Sequence, residues 1–451
     1  MRLHLHTILA KIDKPKYAVM KHEFAEQINS TMNKLRDIGL IQLNLENESF
    51  DGKHIIVKGK EYNYFASCSY MGLETDPRLK KASIEAIEKF GTQFSCSRTS
   101  AQLGMYEELE SLLGEIFGKP TLLAATTTLG HASTIPIMIA PTDAVLVDAQ
   151  THNSVKNAVQ MVKPDGVVVE TIKHNRMDYL ETRIQILRQN HDKIWYMLDG
   201  IYSMLGDPAP LEDLKVLLDR YEQLHLYVDD AHGMGWTGKH GRGYTLSKME
   251  FHPRMILTSS LAKAFGSSGG ALVFNDEKSK EFVRNCGSSL IFSGPLQPAV
   301  LAASIASAKI HLTDEIDAMQ NELYERMFYF NQNAVRLGLP LVSTDMNPIK
   351  FIGTGSHAIG YKLSQYLMNE GFFVNFITFP IVPNKFTGLR IVLTRHHTIE
   401  EIGKLLNAIA YALPKFIAEE NYSMDQIHEA FGMVGTVPKQ TVTEQRHLKI
   451  A

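Results

Sequence analysis

Between about residues 120 and 275 the chain alternates short, continuous apolar runs with longer amphipathic stretches. The runs fall at 144–147, 167–169, 194–198, 224–228 and 256–257, and Leu211, Leu214, Leu218 and Tyr221 make a helical stripe between two of them. Runs this short and this uniformly apolar predict strands buried on both faces. With helices between them they predict an α/β fold whose mostly parallel sheet is sandwiched by helices. Upstream, 62–67 reads as a strand and 71–73 as a turn. One helix then follows with Leu79, Ala82, Ala86 and Phe90 on a face, and another with Leu109, Leu112, Leu113 and Ile116. After Pro298 a long helical stretch, to about 337, leads into a smaller C-terminal α/β domain. The expected division is an N-terminal arm (1–55), a large domain (56–298), a small domain (299–415) and a tail (416–451), polar from about 423.

The apolar runs end in polar groups. Val147 leads into Asp148 and His152, Leu198 into Asp199 and Ser203, Val228 into Asp229, Asp230 and His232, and Leu257 into Ser260 and Lys263. Each alone reads as an ordinary turn aspartate or capping serine. Together they outline one pocket, because open α/β sheets bind ligands beyond the carboxyl ends of their strands. Lys263 follows a buried strand and enters a loop of Ser and Gly, 266–270. An amine that loses part of its hydration there has a lowered pKa and becomes a nucleophile toward a carbonyl. The carbonyl proposed is the aldehyde of pyridoxal phosphate; on that stretch alone, an ordinary loop lysine is the competing reading.

Composition narrows the picture. The 451 residues suffice for a large domain plus a smaller one, with 44% hydrophobic and 21% charged residues, as in globular proteins. A net charge of −3 gives no electrostatic case for nucleic acid or an anionic membrane. The three cysteines, Cys68, Cys96 and Cys286, have no paired spacing, which argues against a disulfide framework or a metal site and for a reducing, cytoplasmic setting. No apolar run reaches the roughly 18 residues of a membrane span.

Asp229-Asp230-Ala231-His232, the glycine-rich 233–243, and Ser260-Leu261-Ala262-Lys263-Ala264-Phe265-Gly266 resemble the fold-type I pyridoxal phosphate (PLP) enzymes, and most of all the α-oxoamine synthases. The resemblance spans about 55–410. It implies that Lys263 carries the cofactor covalently and later moves the substrate α-proton. It implies that Asp229 binds the pyridine nitrogen, that His232, assisted by Ser203, binds the phenolic oxygen, and that His152 stacks on the ring. Thr127 and Thr128 stand where the family has glycine and an aromatic residue at the phosphate, with Ser260 as a further phosphate ligand. Ser293-Gly294 resembles the segment that reaches the partner subunit's phosphate. Arg390, within 388–394, matches the arginine that grips the substrate carboxylate, and Ser69 is a second substrate candidate.

The chain departs from the family at Thr378, where some members have arginine, and at Cys68-Ser69, where the family has asparagine. The acyl-donor loop, 91–98, is also altered. These departures keep the autoinducer-synthase branch open. The implied reaction is decarboxylative condensation of an amino acid with an acyl thioester, on coenzyme A or an acyl-carrier protein, in a homodimer. The alternatives are an aminotransferase or carbon–carbon lyase on the same scaffold, or a non-catalytic partner subunit, which would be expected to lack the lysine.

Overall fold

The computed structural model describes residues 14–433. Its strands are β1 (His54–Val57), β2 (Lys60–Tyr64), β3 (Thr121–Ala124), β4 (Ala144–Asp148), β5 (Val168–Ile172), β6 (Ile194–Asp199), β7 (Leu224–Asp229), β8 (Met255–Ser260), β9 (Gly270–Val273), β10 (Ile349–Gly353), β11 (Phe372–Phe373), β12 (Asn375–Ile377) and β13 (Gly388–Val392). The large sheet has the order β3-β9-β8-β7-β6-β4-β5. All its pairs are parallel except those of β9, which runs antiparallel to both β8 and β3.

Every residue of β4, β6 and β8 is buried, which is why those runs lack alternation. One face, with Tyr196, Leu198, Val228 and Leu257, packs against Leu113, Ile184, Leu214 and Leu301 of four helices. The other, with Val145, Met197, Tyr227 and Ile256, packs against Ile135 and Val159. Each such side chain removed from water contributes about 1.5–3 kcal/mol.

A smaller antiparallel sheet, β10-β13-β12, belongs to the C-terminal domain, and β11 pairs parallel to the β1–β2 hairpin. The hairpin turn uses Lys58 and Gly59, both at positive φ (53° and 71°), which matches strand twist.

The long helical stretch after Pro298 is two helices, Pro298–His311 and Glu315–Arg336. The first buries Leu301, Ile305 and Ala308 in the large-domain core and Ala303 and Ile310 in the cluster that holds the small domain. Helix Ile399–Glu419 runs across the boundary expected at 415. Within the segment expected as a polar tail, Met424–Ala430 is a helix capped by Ser423, with Ile427 buried and Phe431 against Phe351 and Phe386. The remainder of the tail and residues 1–13 lie outside the described residues. Within the arm, helix Lys14–Asp37 places Leu35 in the small-domain core. No helix among the described residues is long and apolar enough to cross a membrane.

Candidate active site

The parallel strands β4, β6, β7 and β8 deliver their carboxyl ends to one edge of the sheet. A cavity of about 250 Å³ opens there, lined by His152, Asp199, Asp229, His232, Ser260 and Lys263, with Thr126, Thr127, Thr128, Ser268 and Gly269 at one end. A larger cavity, about 440 Å³, lies behind it between Trp236, Tyr244, Lys248 and Asp345 and holds none of this set.

Asp229 closes β7, and its Oδ1 accepts the Ala231 amide at 3.1 Å. Its Oδ2 lies 3.0 Å from His131 Nε2. Burial works against its charge, but the His131 ring and Lys263 hold the carboxyl well below the usual range. Asp199, at the end of β6, is pushed the other way, by burial and by the charge of Asp229. Its Oδ1 accepts the amide of His152 at 3.0 Å. His152 caps helix Asn153–Gln160, with Nδ1 2.6 Å from Ser154 Oγ, and burial lowers its pKa, so the ring is neutral near pH 7.

His232 is also kept neutral, by burial and by the positive charges of Lys263 and Arg390. Its Nδ1 lies 2.7 Å from the hydroxyl of Tyr70, a phenol whose pKa burial raises well above 10. That hydrogen bond anchors the Nδ1 edge of the His232 ring. Trp236 Nε1 donates to the His232 carbonyl at 2.7 Å and fixes that turn.

Lys263 follows β8 in a turn closed by the Gly266 amide on the Lys263 carbonyl at 3.0 Å. Gly266 has φ +73°, and a Cβ there would lie 2.6 Å from the Cβ of Leu73, so the lysine turn packs directly on the 69–73 turn. Burial lowers the Lys263 pKa against the pull of Cys68 and Asp229. The amine thus has an enlarged neutral fraction and nucleophilic capacity.

At the far end of the cavity, helix Thr127–Met138 starts with Thr126 as N-cap, whose Oγ1 accepts the Leu129 amide at 3.1 Å. The amides of Thr127 and Thr128 have no partner within the helix and sit where a phosphate is favoured. Thr127 Oγ1 donates to the Ser259 carbonyl at 3.3 Å. β9 passes so close that a Cβ at Gly270 would stand 2.8 Å from the Thr127 backbone.

Arg390 lies on β13 and is 5% exposed. Its Nε donates to the Ser203 carbonyl at 2.7 Å, and Nη2 lies 3.6 Å from Cys68 Sγ. The structure thus brings Cys68 to the guanidinium; Ser69, next in the chain, has its amide on Ser67 Oγ at 3.1 Å. Burial works against a thiolate at Cys68, but Arg390 and Lys263 outweigh it and lower the thiol pKa. Ser203 is buried in the turn after β6 and meets Arg390 through its backbone. Thr378 bonds to His357 Nδ1 (3.1 Å) and Thr387 Oγ1 (3.2 Å) and lines a different cavity, beside helix Lys14–Asp37. Gly294 has open space around its Cβ position. Sequence reading places Asp199 at the pocket as a strand end without a role, and gives Thr126, His131 and Tyr70 no part in the site. The only local signal was for His131, which shares a helical face with Thr127.

The residues fit pyridoxal phosphate. A helix start offers amides and hydroxyls to the phosphate, a lysine amine is available to an aldehyde, and a buried, ionised carboxylate suits a protonated ring nitrogen.

The sequence profile of the family described as aminotransferase class I and II matches residues 65–409. An 8-amino-7-oxononanoate synthase of Thermoanaerobacter pseudethanolicus is 31% identical over 384 residues, covering 84% of this chain and 95% of the relative. One from Alkaliphilus metalliredigens is 32% identical over 356 residues, covering 78% and 87%. Among solved structures, a serine palmitoyltransferase from S. paucimobilis with PLP and myriocin bound superposes with a TM-score of 0.80 at 24% identity, covering 88% of this chain and 99% of that one. That likeness speaks for the fold. The family profile and the two relatives go further: the chain belongs to the class I and II aminotransferase family and, within it, to the PLP-dependent α-oxoamine synthases.

Proposed function

We propose that the protein is a PLP-dependent C-acyltransferase that condenses an amino acid with an acyl thioester, with loss of carbon dioxide, to give an α-amino ketone. The single observation that carries the reading is the convergence of Lys263, Asp229, His152 and His232 on one cavity that ends at a helix N-terminus. The curated relatives, named as 8-amino-7-oxononanoate synthases, support this reaction class.

Bound there, PLP supplies an aldehyde that captures an amine and a ring that takes up the electron pair released at the α-carbon. Lys263 would hold the cofactor through Nζ and would accept the substrate α-proton at the same atom. Asp229 would hold a proton on the ring nitrogen. His232 would bind the phenolic oxygen, and His152 would lie against the ring. Thr127, Thr128 and Ser260 would hold the phosphate. Arg390, its Nε fixed by Ser203, offers its outer nitrogens to the substrate carboxylate, with Cys68 beside it and Ser69 next in the chain. Neutral His152 and His232 keep competing positive charge out of the pocket.

The working unit in this reading is a cytoplasmic homodimer. Phe94 and Phe292 are 51% and 83% exposed in the single chain, on segments joined by the Ser97 Oγ bond to the Ile291 carbonyl. Apolar surface of that kind suits a subunit contact. The acyl group arrives on coenzyme A or an acyl-carrier protein.

The test uses the absorbance of the bound cofactor. Single amino acids are titrated first, then acyl thioesters are added and free thiol is measured. One amino acid should move the band, and thiol release should follow only with both substrates. A band that responds to amino acids while no thioester releases thiol would transfer the assignment to an aminotransferase. No cofactor band at all, or one indifferent to Lys263→Ala, would favour a non-catalytic role.

A further inference from the structure

Asp199 and Asp229 end neighbouring parallel strands in register, as direct partners across β6 and β7. They are 2% and 5% exposed, and both line the cavity that holds Lys263. Two carboxylates at adjacent strand ends in a dry site repel, so one favours the protonated form unless each has its own counter-charge. Lys263 and His152 face both of them, and Asp148 stands behind Asp199.

The two differ chiefly in one neighbour. Asp229 has His131 Nε2 at 3.0 Å, whereas Asp199 has a single backbone donor, the His152 amide. His131 is fully buried, and its Nδ1 lies 2.8 Å from the Tyr227 hydroxyl. The Asp229 carboxylate accepts from Nε2, and the Tyr227 hydroxyl anchors the other ring nitrogen, so the imidazole is held with Nε2 directed at Asp229.

We infer that His131 is a positioning residue that decides which of two paired carboxylates carries the negative charge, holding it on Asp229 beneath the cofactor ring nitrogen and leaving Asp199 protonated. The inference rests on the PLP reading above. It agrees with the opposite directions in which the two carboxyls are shifted. Its consequence is electronic: a ring nitrogen beside a carboxylate keeps its proton, and one beside a neutral acid loses it at lower pH.

The test loads the full chain with PLP isotopically labelled at the ring nitrogen and follows that nucleus by NMR from neutral to alkaline pH. Wild type should stay at the protonated position. His131→Phe should move toward the unprotonated position and titrate earlier. His131→Gln, which can present an N–H where Nε2 stands, should behave as wild type. Adding Asp199→Asn to His131→Phe should restore the protonated position, because the competitor for the charge is gone. A His131→Phe signal identical to wild type, or a double variant as shifted as the single one, overturns the inference. If His131→Phe does not fold, Tyr227→Phe, which removes the partner that anchors Nδ1 of His131, must give a partial shift in the same direction; no shift there also overturns it. A wild type that binds no PLP overturns the cofactor reading itself, and is told apart by the missing bound signal.

Discussion

Arg390→Lys keeps the positive charge and removes the geometry. Arg390 is 5% exposed, its Nε spends its hydrogen on the Ser203 carbonyl at 2.7 Å, and Nη2 lies against Cys68 Sγ. Lysine has no atom at Nε, so the buried Ser203 carbonyl loses its donor, at a cost of about 1–3 kcal/mol. It also offers a point charge where arginine offers a planar fork, forfeiting one charge-assisted bond to the substrate carboxylate, about 1.5–3 kcal/mol. Part of the first loss falls equally on free and bound enzyme and appears as lowered stability. What remains for binding is about 2–4 kcal/mol, or roughly a 30- to 1000-fold fall in kcat/KM for the amino acid at about 1.4 kcal/mol per tenfold. The loss should sit mainly in KM for the amino acid. KM for the acyl thioester and the resting cofactor spectrum should hold, since Arg390 lines neither the phosphate end nor the Lys263 cavity wall. Steady-state kinetics with each substrate varied in turn measures this. An amino acid KM changed less than threefold would remove Arg390 from substrate binding, and an equal rise in both KM values would indicate a general disturbance of the small sheet.

Three further outcomes follow from the same structure. His174 sits between Asp148 (2.8 Å) and Asp207 (2.5 Å), and despite its burial these partners raise its pKa from 6.5 to about 9. A raised folded pKa gives stability fully present below pH 6.5 and lost as pH passes 9. His174→Gln should therefore lower stability by about 2 kcal/mol at mildly acidic pH, allowing for partial exposure, and by much less at strongly alkaline pH, read from denaturant curves. Lys350 is fully buried with Nζ on the Asp345 carbonyl at 2.7 Å, and burial brings its pKa from 10.5 to about 7. Between those values the unfolded chain binds the extra proton, so stability rises with pH; Lys350→Met should stabilise by about 1–3 kcal/mol near neutrality, a gain that fades toward pH 10.5, and a pH-independent difference in Tm would refute it. Gly266→Ala places a Cβ 2.6 Å from Leu73 at φ +73° and should cost about 2–4 kcal/mol, with weaker PLP retention because the Lys263 turn is displaced; an unchanged Tm would refute it.

What could be read from the chain alone follows from where chemistry and periodicity coincide. Strands β4, β6 and β7 announce themselves because they are apolar on both faces, and the first polar residues after them, Asp148, Asp199 and Asp229, mark the sheet edge at which a ligand binds. β3 and β9 escape the same reading: each has four buried residues, and β9 follows directly on the Ser/Gly loop after Lys263. Their antiparallel pairing leaves no trace in strands with neither face exposed. The groups that tune the site are hidden for a different reason. His131 meets Asp229 across 98 residues, Tyr70 meets His232 across 162, and Cys68 meets Arg390 across 322. No local spacing encodes such a pair, since each exists only once a helix start, a turn and a strand of the small domain have closed on the sheet edge. The residues that perform the chemistry are therefore legible as strand ends. Those that set protonation and orientation become visible only through buried hydrogen bonds, where an unpaired donor or charge would cost enough to fix each partner. By that reasoning a relative that keeps the lysine and aspartate motifs but changes residue 131 would retain the cofactor and alter its electronics, so recognising the fold leaves the chemistry of a given member to these distant contacts.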